Sequence, residues 1–182
     1  RPLDIRSLDF GGQGVRKIEL DSIYTAHLNV DESRAYQTHV NYNDNNGRSL
    51  TLTANRERAN LKASYLSTYF YLDANPRLDE GEAIYVFGGL SDWQIKERYK
   101  MQYLPDKGVY YANMLLKQGY YDYKYAISRG PGTGVNTQRL EGSHFETENE
   151  YIVLVYFKDP FRNIFKLVGA RTIKDGLMDR GQ

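Results

Sequence analysis

"LKQGYYDYKYAISRG", residues 115–129, decides the fold class. In an extended strand successive side chains point to opposite faces. Tyr121, Tyr123, Tyr125 and Ile127 therefore share one face, and Tyr120, Asp122, Lys124 and Ala126 share the other. The second set carries two charges and can meet water, which makes the first set the expected core face. Tyrosine suits that role at the rim of a thin sandwich, because it buries its ring and keeps its hydroxyl near a partner. Tyr120 is the one phenol left off the core face, and it becomes a candidate contact residue.

The same alternation extends outward along the chain. "VRKIEL" (15–20), "TAHLNV" (25–30), "QTHVNY" (37–42), "SLTLTA" (49–54) and "SYLSTYFYL" (64–72) are short runs with Val, Ile, Thr or Tyr at every second position, the pattern of strands. Asn46-Gly47 inside "NYNDNNGRS" predicts a tight hairpin turn, since both residues tolerate positive φ. "LDANPRLDEGE" (72–82), with Asn75-Pro76 and Gly81, reads as a linker. Beyond it, "AIYVFGG" (83–89) is a strand closed by a glycine pair, and "GVYYANMLLKQGYYDYKYAI" (108–127) is two strands joined around Gln118-Gly119. "LSDWQIKERYKMQYL" (90–104) reads as loop plus short strand, and "RGPGTGVNTQRLEG" (129–142) as a mobile loop. "NEYIVLVYF" (149–157) is apolar enough to be a central strand, with "NIFKLVGA" (163–170) as the last.

Many short strands and no long helical period predict an all-β chain. The expected organisation is a β-rich segment over residues 1–76, the remainder of a larger upstream region, then an immunoglobulin-like (early-set) β-sandwich over 82–170 and a fraying tail over 171–182. The core of that sandwich is expected to include Tyr121, Tyr123, Val153 and Val155. The opening "RPLDIRSLDF" already looks like the approach to a strand, so the chain reads as a fragment whose true N-terminus lies upstream.

Composition excludes several function classes. With 182 residues, 41% of them hydrophobic, the chain can bury a core without a disulfide or metal staple. Lys and Arg number 24 against 23 Asp and Glu, a net charge of +1, which argues against a nucleic-acid binder that works by neutralising phosphates. The densest basic stretch, "NRERANLK" (55–62), is interrupted by Glu57 and reads as a solvated loop. With no cysteine there can be no disulfide, thiolate metal site or cysteine nucleophile. No apolar stretch approaches about 18 residues, the length a membrane-crossing helix needs.

Catalytic patterns are missing. There is no G-x-S-x-G elbow, and "GPGTG" lacks the Lys-Ser/Thr of a phosphate loop. His27, His39 and His144 stand outside any nucleophile motif. Glu146, Glu148 and Glu150 near His144 alternate along an extended segment, the pattern of a solvated edge rather than a metal site. The expectation is therefore no enzyme, no cofactor and no metal. Trp93, the single tryptophan, follows a strand and a glycine pair in "FGGLSDWQ", a setting that can expose an indole to a sugar ring or a protein or tuck it under the sandwich as a plug.

Two resemblances join this reading. "IYVFGGLSDWQ" followed by "GVYYANMLLKQGYYDYKYAI" is similar to early-set immunoglobulin-like modules of the glycogen-binding type. That resemblance implies a carbohydrate-binding role in which Trp93 stacks on a glucan. The family's second stacking tryptophan has no counterpart in "SRGPGTGVNTQ", which ranks this alternative second. Along nearly the whole chain, "LNVDESR", "YNDNNGRS", "ASYLSTYFYL", "VFGGLSDW", "LLKQGYYDYKYA" and "EGSHFETENEYIVLVYF" together resemble the C-terminal part of the type IX secretion system plug proteins of Bacteroidota. This second resemblance implies a periplasmic, non-enzymatic protein that docks on the outer-membrane translocon barrel and closes it by steric occlusion. Trp93 and Tyr120 are the candidate partner-binding residues.

Overall fold

The computed structural model describes residues 1–36, 49–53, 63–143 and 149–175. Among them the strands follow in the order β1 (Pro2–Asp4), β2 (Val15–Leu20), β3 (Tyr24–Glu32), β4 (Ser49–Thr51), β5 (Tyr65–Asp73), β6 (Ala83–Gly88), β7 (Gln102–Leu104), β8 (Val109–Lys117), β9 (Gly119–Ser128), β10 (Asn149–Lys158) and β11 (Phe165–Asp175). Among the described residues helix is confined to 3-10 turns at Gly89–Ser91 and Glu97–Tyr99 and one turn of α-helix, α1 (Gln138–Glu141). The chain is all-β, as its alternation predicts. The hairpin turn expected at Asn46-Gly47 and the whole of the "QTHVNY" strand lie outside the described residues.

Strand β5 shows how sequence becomes sheet. Leu66, Thr68, Phe70 and Leu72 are buried while the residues between them are not, a period of two maintained over nine residues. Covering a side chain such as Phe70 or Leu72 stabilises by about 1.5–3 kcal/mol. β5 lies in the middle of a five-stranded sheet of order β2-β3-β5-β8-β7, with β3 and β5 parallel and the other neighbours antiparallel.

The opposing sheet is built on β9. Its first half pairs with β1 on one side (Leu3 opposite Tyr121) and with β4 on the other (Ser49 opposite Tyr121). Its second half pairs with β6, Val86 opposite Tyr125. Arg1 exchanges both backbone hydrogen bonds with Tyr123, at 2.8 and 3.0 Å. β6, which reaches Tyr123 through Gly88, must therefore lie along the same edge as β4. Between the two sheets, Tyr121, Tyr123, Tyr125 and Ile127 of β9 meet Leu66, Phe70 and Leu72 of β5 in one core. The core face read from the tyrosine run holds, but the other face is not a wet one: Asp122 and Ala126 are buried and only Lys124 is exposed.

Three expectations need correction. The first concerns domain division. Strands from residues 1–76 and from 83–143 share a single core, and the chain divides instead at 143/144, with residues 1–38 and 42–143 in one unit and 39–41 and 144–182 in the other. Asn75-Pro76 and Gly81 mark a passage from one sheet to the other, not a boundary between domains. The second concerns Val153 and Val155, which are 46% and 52% exposed rather than core. They belong to the second unit, an antiparallel β10–β11 hairpin whose strands pair only with each other among the described residues. The third concerns residues 171–175, expected in the tail, which complete β11 opposite residues 149–153.

The glycine-rich loop is tied down rather than mobile. Ile127 and Asn136 form a two-bond bridge at 2.8 and 2.9 Å, and the buried Ser128 hydroxyl bonds Thr133 Oγ1 and the Gly134 carbonyl.

Candidate functional site

The outer face of the β6–β9 pair is built from the residues that alternate away from the core. Tyr85 and Phe87 of β6 lie opposite Ala126 and Lys124 of β9, and with Ile95 they form a small apolar cluster outside the sheet. The strand can leave this face only through Gly88, where φ is +150° and an added Cβ would come 2.6 Å from the Asp122 carbonyl oxygen. The chain then folds into a 3-10 turn pinned by Ser91, whose side chain bonds both the Gly88 N–H and the Gly88 carbonyl.

Two consecutive residues after that turn, Asp92 and Trp93, adopt left-handed backbone with φ of 56°. For a residue with a Cβ that conformation costs about 1–2 kcal/mol. It is held by the Trp93 N–H bonding the Gly88 carbonyl at 3.0 Å and by an ion pair between Asp92 and Lys96. The consequence is that the indole rises from the sheet, 48% exposed, with Phe87 packed against it edge to face at 5.4 Å. Strain retained in an exposed aromatic is the kind of observation from which a contact role is argued.

Tyr120, the other sequence candidate, is half-buried in β9 between Asp4 of β1 and Leu50 of β4. It does not sit on a loop at the sandwich end. It shares the outer face with Lys124, and so with Phe87 and the Trp93 indole above it. Four residues of strand separate Tyr120 from Lys124, about 13 Å. The two candidates therefore lie on one face of one sheet but do not form one contiguous cluster. Leu50, 41% exposed beside Tyr120, and the exposed Lys124 complete the surface.

Sequence reasoning missed a second polar-aromatic face, on the outside of the five-stranded sheet. His27 of β3 stacks on Tyr69 of β5 at 4.9 Å, Tyr71 follows at 6.4 Å, and all three rings lie within about 16° of parallel. His27 Nδ1 and the Tyr71 hydroxyl are 2.9 Å apart, and His27 Nε2 lies 3.3 Å from Glu19. These rings cover one another's faces, so they present edges and polar atoms rather than a flat platform. Their signal was present in "YLSTYFYL", where three of the four odd positions (Tyr65, Tyr69 and Tyr71) are aromatic beside a largely apolar core face.

Also missed was a buried polar network behind the core tyrosines. Asp31 accepts from the hydroxyls of Tyr123 (2.6 Å) and Tyr125 (2.9 Å) and from Arg1 Nη1 (2.8 Å), while Arg1 Nε donates to Glu141 at 3.0 Å. Burial opposes the charge on Arg1, but Glu141 and Asp31 outweigh it and raise its pKa further. The network is internal and satisfies the phenols, which makes it architecture. Among the described residues no group of three His, Asp or Glu side chains is placed to hold a metal ion. His144, Glu146 and Glu148 lie outside the described residues.

A hypothetical protein from Parabacteroides merdae, known from a crystal structure, superposes on this chain with a TM-score of 0.84 at 26% sequence identity. It has the same fold. The match covers 96% of this chain and 44% of the other, so the chain spans less than half of that protein's length. No family model and no curated protein matches the chain.

Proposed function

We propose that the chain is a non-enzymatic docking module of the bacterial cell envelope that plugs the periplasmic side of the type IX protein-secretion translocon. The resemblance of "KQGYYDYKY" and "EGSHFETENEYIVLVYF" to the plug proteins supports this reading, as does the structural likeness to a Bacteroidota protein. The observation that carries docking is the strained, half-exposed Trp93 seated on Phe87. Exposed aromatics on a rigid support are typical interface anchors. Occlusion needs no chemistry: a rigid sandwich seated on a pore shifts a gated assembly between open and closed populations. The net charge of +1 removes long-range steering, so the contact relies on shape and aromatic burial and is only mildly salt-sensitive.

The test is recovery of the translocon barrel on the immobilised chain. A Trp93→Ala, Tyr120→Ala double variant should lose most of the recovery. Full recovery by the variant would remove these residues from the contact, and no recovery by the unaltered chain would end the plug reading. Carbohydrate binding is favoured by the same half-exposed indole. A single stacked ring predicts binding to soluble glucans no tighter than about millimolar, or about 4 kcal/mol. Micromolar calorimetric binding that disappears in Trp93→Ala would put this second reading first.

A further inference from the structure

We propose that β8 takes up an extended, acidic segment of a partner protein as an added strand, along its free edge at residues 113–115. In the five-stranded sheet β8 has β5 on one side over nearly its whole length, but β7 on the other only opposite residues 109–111. β7 leaves the sheet at once. The Met101 N–H bonds the Ile84 carbonyl at 2.8 Å and Lys100 bridges Tyr85, both in β6.

Backbone groups alternate in direction along an antiparallel strand. The Gln118 N–H bonds the Ser64 carbonyl on the β5 side at 2.8 Å, so Leu116, Met114 and Ala112 also turn their backbone groups to β5. Asn113, Leu115 and Lys117 turn theirs the other way. The Lys117 carbonyl is taken by the Tyr121 hydroxyl. Among the described residues nothing bonds the N–H and carbonyl of Asn113 and of Leu115, and Leu115 is 61% exposed. Such edges are normally blunted by charge or by a bulge. The opposite edge of the same sheet is treated that way, with Lys17, Glu19 and a register shift between Val15 and Lys17 in β2. Asn113 and Leu115 carry neither device.

The edge fixes the chemistry of its occupant. Four outward backbone groups are met by another extended backbone, whose main-chain bonds give affinity while a side-chain pocket gives specificity. That pocket is present. Where β7 parts from β8 there is a cleft of about 520 Å³, lined by Glu97, Arg98, Lys100, Met101, Tyr111 and Asn113 among others. A strand laid along residues 113–115 passes its mouth and can put one side chain into it. Lys100 is held by Glu97 at 3.2 Å, whereas Arg98 has no ion pair among the described residues and lies over the Tyr99 ring, 4.8 Å from its centroid. With Lys117 farther along the edge, the cations outnumber the carboxylate, which selects an acidic side chain.

The probes are two fluorescein-labelled ten-residue peptides of alternating threonine and valine, one with aspartate and one with lysine at its centre. The aspartate peptide should bind the full chain with a Kd of about 100 μM, as a few backbone hydrogen bonds support. The lysine peptide should bind about fivefold more weakly. Amide exchange at Asn113 and Leu115 should slow on binding. A fully N-methylated aspartate peptide keeps the side chains, loses the donors and should not bind. Leu115→Pro, which removes one outward N–H and is tolerated at a sheet edge, should keep the far-UV spectrum and lose binding. Arg98→Glu should reverse the preference between the two peptides. The edge belongs to the other sheet from Trp93, so these outcomes are independent of translocon recovery. No binding of the aspartate peptide up to about 1 mM would overturn the proposal. So would binding of the N-methylated peptide, or protection that falls on strands other than β8. Dimerisation of the chain alone that Leu115→Pro abolishes would put a second copy on this edge and overturn it too.

Discussion

A buried phenol has to place its hydroxyl, and the three core tyrosines of β9 do so in two ways. Tyr121 donates to the Lys117 carbonyl at 2.5 Å, while Tyr123 and Tyr125 share the Asp31 carboxylate. Burial, with Tyr65 and Tyr99 adding to it, pushes the Tyr121 hydroxyl up to about 12, and burial holds Tyr123 and Tyr125 well above the ordinary value of 10. An unfolded tyrosine ionises near pH 10. A raised folded pKa therefore contributes stability that is complete below about pH 10 and is lost as pH rises toward 12. Phenolate absorbance should rise in two stages, the exposed tyrosines first and the core ones only with cooperative unfolding. Tyr121→Phe should flatten the pH dependence of stability across that window. Core phenols that titrate near 10 in the folded chain would disprove the burial. The face of these tyrosines was legible in the sequence because it depends only on alternation. Their acceptors were not, because Asp31 lies 92 residues from Tyr123 and nothing local pairs them. The left-handed backbone of Trp93 was equally hidden, since nothing in "FGGLSDWQ" marks a non-glycine residue at positive φ.

At the scale of elements, strand positions were legible and strand partners were not. β8 and β9 are consecutive, with one residue between them, yet they lie in opposite sheets. The switch is made at Gln118, whose side chain accepts from the Ser64 N–H at 2.9 Å and donates to the Arg6 carbonyl at 2.7 Å. Gly119 follows because an added Cβ would sit 2.3 Å from the Leu50 carbonyl oxygen of β4. Gly119→Ala should force β4 and β9 apart and destabilise by about 1–3 kcal/mol, the usual cost of overpacking. Gln118→Ala should cost about 1–3 kcal/mol by stranding the Ser64 and Arg6 backbone groups. Urea midpoints measure both, and a Gly119→Ala chain as stable as the parent would refute the close approach. Local pattern misled most at β10. A run that is apolar on both faces normally signals a strand covered on both sides. Among the described residues its strand neighbour is β11 alone, so an apolar run marks a strand without making it a central one.

For the whole molecule, the reading of turn residues as a domain boundary failed for a physical reason. Pro and Gly mark where an element ends, and in a sandwich every passage between sheets ends an element. The 72–82 stretch is such a passage, fastened at its far end by Glu82, whose carboxylate accepts from the Asp79 N–H at 2.9 Å and from Arg139 at 2.7 Å. Cutting there would separate Leu66, Phe70 and Leu72 from Tyr121, Tyr123 and Tyr125 and leave each half with an uncovered sheet. Cutting after Ser143 removes no residue of the main core, since its last member among the described residues is Leu140. A chain ending at Ser143 should therefore keep a near-UV spectrum from ordered tyrosines and unfold in urea as a single cooperative transition. A chain ending at residue 76 should show neither. Dye binding and a non-cooperative melt from the 143-residue chain would mean that the hairpin unit is required to fold the sandwich, and the division at 143/144 would be wrong.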